Sequence, residues 1–588
     1  MSEPQSSNAS PAQKPRLGQS SSANRWAAWR AGFSGSAKGF TWKPEPKTIG
    51  LDPRGRQLLA GNFMFGGVLV EAPDTLPWDI DPPNDAFLHE LHGFGWMDHL
   101  AAITDGSGQK RAQAWLADWL TRFGKGRGPG WEPDLAGRRQ IRWISHAFFL
   151  LSGQAPAQSR AFTSALARQT QFLARRWHVT SHGLPRFEAL TGLIYSACTL
   201  TGMERHLDRA MRALARKCSR EVDASGGIIT RKPEELLEVF TLLTWVSAIL
   251  AETGREPAPA VQTAIMRIAP TLRNLRHSDG GLARFHGGGR GVSGRLDQAL
   301  SQSGVRPSVM NGLAMGYARM SAGRVSVIVD AAPPHKGPKS YNAHASTLAM
   351  EMTSGRRPVI VSCGSGVSFG PEWRRAGRAT LSHSTLNIDG YSSARLGAGI
   401  NDDGILRQDV VEGPEKVEMQ DFPSENGRQI TLSHDGYVTS HGLTHIRSLT
   451  LDNDGRFLQG EDGLAAMEDT DREVLDHMLA NAGGNGIGFS LRFHLHPEVE
   501  AEIDLGGHAA SLTLRGGEVW VFRHGGEAEL RIEPSFYLEN GRIKPRATKQ
   551  IVLFTRLTEY GSAISWSLAK PSDAPLAHRD YAPDPLRL

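Results

Sequence analysis

Cysteine is scarce in this sequence. Cys198, Cys218 and Cys363 lie far apart and include no Cys-x-x-Cys pair, which excludes a disulfide framework and a zinc ribbon. Long apolar runs are also missing, and none approaches the roughly 18 residues that a membrane-spanning helix needs. A strong charge of either sign is absent: the net charge is +5 over 588 residues. Without a basic run interleaved with aromatics, this mild excess supports no nucleic-acid partner, and it suits an acidic polysaccharide equally well. The Ser-rich opening, residues 1–24, has no apolar central segment and reads as a disordered tail rather than a signal peptide. On that reading the chain is cytoplasmic. Residues 576–588 read as a second tail.

What is present falls into two halves with different periods. Between Asn84 and Arg276 the pattern is helical: "QKRAQAWLADWLTRF" sets Ala112, Trp115, Leu116, Trp119 and Leu120 on one apolar stripe. Similar segments recur with short connections, as in helical hairpins arranged in a bundle or ring. After Gly323 the period becomes two, with strands such as "RVSVIVDAA", "RQITLSHDGYV" and "KQIVLFTRLT" separated by Asn-Gly, Asp-Gly and Gly-Gly turns. Many antiparallel strands of this kind predict a β-sandwich. The expected division is a helical domain over 25–315 and a sandwich over 316–575. Eleven of the fourteen tryptophans precede residue 250. Trp115, Trp119 and Trp245 fit a helical core. Trp78, Trp96 and Trp131 sit in loop-like sequence, where a ring with a polar edge suits a sugar face.

Several motifs carry less than they promise. "GVSFG" around Ser368, with "HGGG" from His286 upstream, has the form of a serine hydrolase elbow, but the alternating strands and helices that such an elbow needs are missing. "GRGVSG" lacks a βαβ unit, "DNDG" reads as a hairpin turn, and His89, His92 and His99 have no acidic or cysteine partner nearby.

One stretch stands out. "SYNAHASTLAMEMTSGRRPVIVSCGSG", Ser340 to Gly366, is read as strand, yet it gathers Tyr341, Asn342, His344, Ser346 and Thr347 before a run of valines. His344 and His383, 39 residues apart, are each flanked by Ser or Thr and are expected on separate strands. His494 and His496 share one strand face. In the helical half, His182 stands in a loop just before a helix that bears Glu188.

With "SHGLPRFEALTGL", "GYARM", "RATLSHSTLNIDG" and "RFHLHP", these residues resemble the heparinase II/III-like polysaccharide lyases over about residues 60 to 570. The resemblance implies an (α/α) toroid followed by antiparallel β-sheets, a glycan cleft between them, and cleavage of uronic-acid polysaccharides by β-elimination without a required cofactor. It also implies a periplasmic or cell-envelope location. For that chemistry His182, Tyr341 and His344 suit proton transfer, and Asn342 and Arg378 suit the carboxylate. Trp78, Trp96, Trp131, Glu188, His494 and His496 are the candidates for holding the substrate.

The match has gaps. His182 is kept in the toroid loop, but the asparagines before it are Thr180 and Ser181. Asn342 replaces the first histidine of the His-x-His motif, and Ser362 replaces a carboxylate that helps bind a structural zinc in some members. Zinc would be left with His344 and His383. The toroid tyrosine is missing where this chain has Arg231-Lys232-Pro233-Glu234-Glu235. A non-catalytic glycan-binding or exopolysaccharide-assembly protein on the same fold is the alternative, and a hydrolase using Ser368 stands third.

Overall fold

A computed structural model describes residues 21–571, apart from positions 36, 309, 311, 403–404, 426 and 505. Most of the stretch expected as an N-terminal tail, and all of 576–588, lies outside the described residues. Residues 22–24 already belong to a helix, Ser22–Ala31, capped by the Ser21 side chain.

The helical half runs to the helix Arg295–Ser303. Its long helices include Ser107–Arg122, Pro133–Ser145, Pro156–Arg176, Leu184–Thr199, Leu207–Glu221 and Pro233–Glu252. Proline at the first turn starts Pro133–Ser145, Leu184–Thr199 and Pro233–Glu252, where the missing N–H costs nothing. The stripe Ala112, Trp115, Leu116 and Trp119 is buried, as its spacing predicts. Leu184–Thr199 and Pro233–Glu252 are apolar nearly all round, because other helices cover them on almost every side.

Trp96 and Trp131 also belong to this core and are closed to solvent, and half-buried Trp78 packs on Trp96 and Phe94. Their indole N–H groups are spent internally, on the carbonyls of Trp115 (from Trp78), Leu91 (from Trp96) and Phe123 (from Trp131). The expectation that these three rings form sugar platforms is therefore corrected: they lock helix to helix.

From Tyr317 onward the chain forms two large antiparallel sheets packed face to face. One runs in the order Glu529–Tyr537, Arg546–Leu557, Ile487–Leu495, Arg357–Val361, Met350–Ser354, Val325–Asp330, Tyr317–Ala322, with Leu386–Ile388 paired to Ile487–Leu495. The other contains Val417–Ser424, Gly427–Tyr437, Leu443–Asp452, Phe457–Ala465, Gly561–Ala569, Val519–His524, Ala509–Leu514 and Val499–Ile503. Along Ile487–Leu495, Phe489, Leu491, Phe493 and Leu495 enter the core between the sheets, while Ser490, Arg492 and His494 alternate to the opposite face. No helix among the described residues is long and apolar enough to cross a membrane.

Candidate functional site

The toroid and the sandwich meet through Arg231. Its backbone is left-handed (φ 50°), and its guanidinium donates to Asp330 and to the carbonyls of Met315, Gly316, Ala332 and Pro333. In return the Tyr317 hydroxyl donates to the Arg231 carbonyl at 2.6 Å. The residue standing near the family's missing tyrosine thus fixes one half to the other.

Asp330 passes this order on. Its Oδ2 accepts from Ser346 Oγ at 2.7 Å and lies 3.6 Å from His286 Nε2, and His286 Nδ1 accepts the His344 N–H at 3.1 Å. The stretch around His344 is therefore held from behind. It is not a strand: Tyr341–Ala349 is a turning loop, and strand begins at Met350. His383 likewise follows a short 3-10 turn, Thr380–Ser382. The loop exists because Arg378, almost wholly buried, donates to the carbonyls of Ser340, Ala343 and Gln408 at 3.0, 2.8 and 2.6 Å. Without it the Ala343 and Gln408 carbonyls would lose the donor they have, and Ser340's would keep only the Ala343 N–H. Arg378 is spent on the loop and does not face a substrate carboxylate.

His344 Nδ1 and His383 Nε2 are 3.2 Å apart, and His383 Nδ1 is 3.0 Å from Ser362 Oγ. Burial keeps both rings neutral, with His383 lowered to about 3 and His344 well below the usual range. A structural zinc wants three or more protein ligands. Among the described residues no third His, Cys, Asp or Glu joins these two, so the donor set does not fit zinc. His494 is buried, taking Ser535 Oγ at 2.8 Å on Nδ1 and donating from Nε2 to the Leu381 carbonyl at 2.8 Å. His496 is buried against Tyr537. Neither histidine presents itself to a ligand, which corrects their reading as substrate contacts.

What remains open lines the junction. His182 stands in the loop before Leu184–Thr199, its side chain 73% exposed, with Nδ1 3.2 Å from Glu221 Oε1. Glu221 also pairs with Lys217 and accepts the Gly183 N–H. Gly183 (φ 85°) lies so near the toroid carboxyl Glu235 that a Cβ there would sit 3.2 Å from Oε1. Glu235 in turn bears electrostatically on Tyr341. Tyr341 is half-buried, its ring beneath Arg407 at 5.7 Å, and Arg374 Nη2 donates to the Tyr341 carbonyl at 3.0 Å and to Asn342 Oδ1 at 3.3 Å. Burial, then Glu235, raises the Tyr341 phenol above its ordinary value, and this outweighs the two arginines. Farther along, a Cβ at Gly289 would meet Glu234 Oε1 at 3.2 Å and Asn540 Nδ2 at 3.4 Å, so the sandwich loop at Asn540 overhangs the toroid.

Glu188 lies inside the toroid, 8% exposed, paired with Arg138 at 2.6 Å. Ser368 packs against Gly67, and among the described residues no hydrogen bond joins it to a histidine. Sequence reasoning missed Glu221, Glu235, Asp330 and His286 as parts of this junction. Only the acidic pair after Lys232 offered a signal for any of them.

Comparison with known proteins agrees with this architecture. A family model described as "Heparinase II/III-like, C-terminal" matches residues 305–567. FtsZ-localized protein C of Caulobacter vibrioides (strain NA1000 / CB15N) is 32% identical over 543 residues, spanning 91% of this chain and 90% of that protein. Among solved structures, heparinase III superposes with a TM-score of 0.65 at 10% identity, covering 93% of this chain and 89% of that one. Heparan sulfate lyase HepC from Pedobacter heparinus gives 0.54 at 14%, covering 93% and 87%. At such identities the structural likeness is one of fold: helical toroid, then antiparallel sandwich. The chain belongs to the heparinase II/III-like family.

Proposed function

We propose that this protein is a polysaccharide lyase that cleaves a uronic-acid-containing glycan by β-elimination in the cleft between toroid and sandwich. One observation carries the reading: exposed His182, held by Glu221 and Arg186, precedes Gly183, which lies against the toroid carboxyl Glu235, and the same carboxyl bears electrostatically on half-buried Tyr341 of the sandwich. His182 takes the C5 proton, the electron pair forms the C4–C5 double bond, and the C4–O4 bond breaks. Burial keeps Tyr341 protonated, so it acts as the acid and gives its proton to O4. Arg374 and Asn342 stand beside it to meet the uronate carboxylate, the place first expected for Arg378.

The test is ultraviolet absorbance of the unsaturated uronate product over a panel of acidic polysaccharides. His182→Ala and Tyr341→Phe are each expected to lower the rate by roughly 10²-fold or more while remaining folded. Saturated products, or parental rates in both variants, would overturn the reading. A second reading, a non-catalytic glycan-binding protein on a lyase fold, is favoured by the burial of His344 and Arg378 and by the name of the Caulobacter relative, which places that protein with FtsZ. Saturable glycan binding with no unsaturated product from any polysaccharide would select it.

A further inference from the structure

The two walls of the cleft differ in sign. On the sandwich side Arg374 and Arg407 stand beside Tyr341, where the proposed lyase chemistry puts the carboxylate. On the toroid side Asp85–Gly93, Pro133–Ser145, Leu184–Thr199 and Pro233–Glu252 contribute Glu90, Asp134, Glu188 and Glu238. These four carboxyl groups are tied together through Arg138: Glu188 pairs with it at 2.6 Å, and Asp134, Glu238 and Glu90 interact with it electrostatically. Glu238 has a partner of its own, Arg295 at 2.5 Å. Among the described residues neither Glu90 nor Asp134 is in an ion pair; Arg54 also bears on Glu90, so the four carboxyls outnumber the arginines that serve them by one.

Helix dipoles explain an acid in a first turn, as at Asp134, but not Glu90, Glu188 and Glu238, which lie beyond it. Glu188 is the sharper sign. It is more than nine-tenths buried, and its Oε2 has no hydrogen-bond partner among the described residues. Burial, reinforced by Asp134 and Glu238, pushes it up to about 7 despite Arg138. A carboxyl in that condition lacks a donor, and a cation placed between Asp134 and Glu238 would supply one. Glu238 and Asp134 are both partly open to solvent, so such a cation could reach them.

We propose that this part of the toroid is a subsite for a sugar carrying an unsubstituted amino group, so that the bound glycan turns a carboxylate to the sandwich and an ammonium to the toroid. The inference rests on reading the cleft as a glycan site, and it adds a selectivity: N-acetylated or N-sulfated sugars would lose the ammonium and be disfavoured.

The test is calorimetric titration of the full chain with a β-1,4-linked glucosamine tetramer and with its fully N-acetylated counterpart, at the lowest pH at which circular dichroism shows the chain still folded. The amine form is expected to bind about tenfold tighter or better, and the double variant Asp134→Asn/Glu238→Gln to lose that preference. Glu188→Gln, tested separately, is expected to weaken amine binding as well. Circular dichroism of each variant checks that it has folded. Equal affinities for the two tetramers, binding of neither, or an unchanged preference in the folded double variant would overturn the proposal. The lyase reading fails separately: an amine preference with no unsaturated product removes only the lyase, and unsaturated product from an amine-free polyuronate with no amine preference removes only the subsite.

Discussion

Acid should unfold this protein at a pH well above where carboxylates titrate. His92, His286, His344, His383, His434 and His496 are all buried, and burial is the first cause holding each below the usual imidazole range, His92, His383 and His496 at about 3 and the others well below 6.5. In the unfolded chain the same rings take up protons near 6.5. Below that pH the unfolded state binds more protons, so stability falls as pH falls. One pH unit below the unfolded value, each ring contributes a loss of ~1.4 kcal/mol, or ~8 kcal/mol for the six together. Glu188 acts in the opposite sense. Because it is raised to about 7 in the folded state, it gains its proton there first and returns ~2 kcal/mol over the same window. The net loss of ~6 kcal/mol between pH 7.5 and 5.5 is comparable to the whole stability of a typical domain, ~5–15 kcal/mol. Urea unfolding followed by circular dichroism at the two pH values reads it directly. An unchanged midpoint at pH 5.5 would show that these rings are already charged, or hydrated, in the native state, and the reasoning would fail.

Three further outcomes are expected. Arg378→Ala should destabilise by ~3 kcal/mol, since it removes the donor of the Ala343 and Gln408 carbonyls and one of the two donors of Ser340's, and should increase amide exchange along residues 340–349; parental exchange there would refute its role as a brace. Trp131→Ala should cost ~3–5 kcal/mol in urea unfolding while leaving glycan affinity unchanged in the folded fraction, and a selective loss of affinity would restore the ring to the binding surface. The purified protein should contain well under one zinc per chain by elemental analysis, with a melting temperature insensitive to chelator; stoichiometric zinc would mean that a third ligand has been recruited beside His344 and His383.

The change from a helical to a two-residue period was legible because an apolar face imposes it: the buried stripe of Ser107–Arg122 follows the helical period, and along Ile487–Leu495 the apolar side chains alternate into the core between the sheets although the opposite face is largely covered as well. His182 was legible for a similar reason: a proline-started helix after a glycine places the preceding residues in a loop. The segment from Tyr341 to Ala349 was not. Its polar and small residues alternate as a strand would, and what denies it a ladder is a guanidinium some 35 residues later that occupies its carbonyls. Trp131 misled in the same way, because its neighbours in sequence are turn formers while its neighbours in space are Phe172 and the Phe123 carbonyl. Pairings at long range leave no local period, so Asp330 and Glu235 could be found only once the halves were assembled.

Arg231 gives the molecule a mechanical character. A cleft bounded by two large bodies can work as a jaw, opening to admit a chain and closing on it. Here five acceptors across the boundary are gathered by one side chain, and the tyrosine hydroxyl grips that residue's own backbone. A pin of that kind resists rotation about the junction, because any swing of one half against the other must break several of these bonds together. Under the proposed function, a glycan would then meet walls whose spacing is set by folding, before any of its chemistry is read.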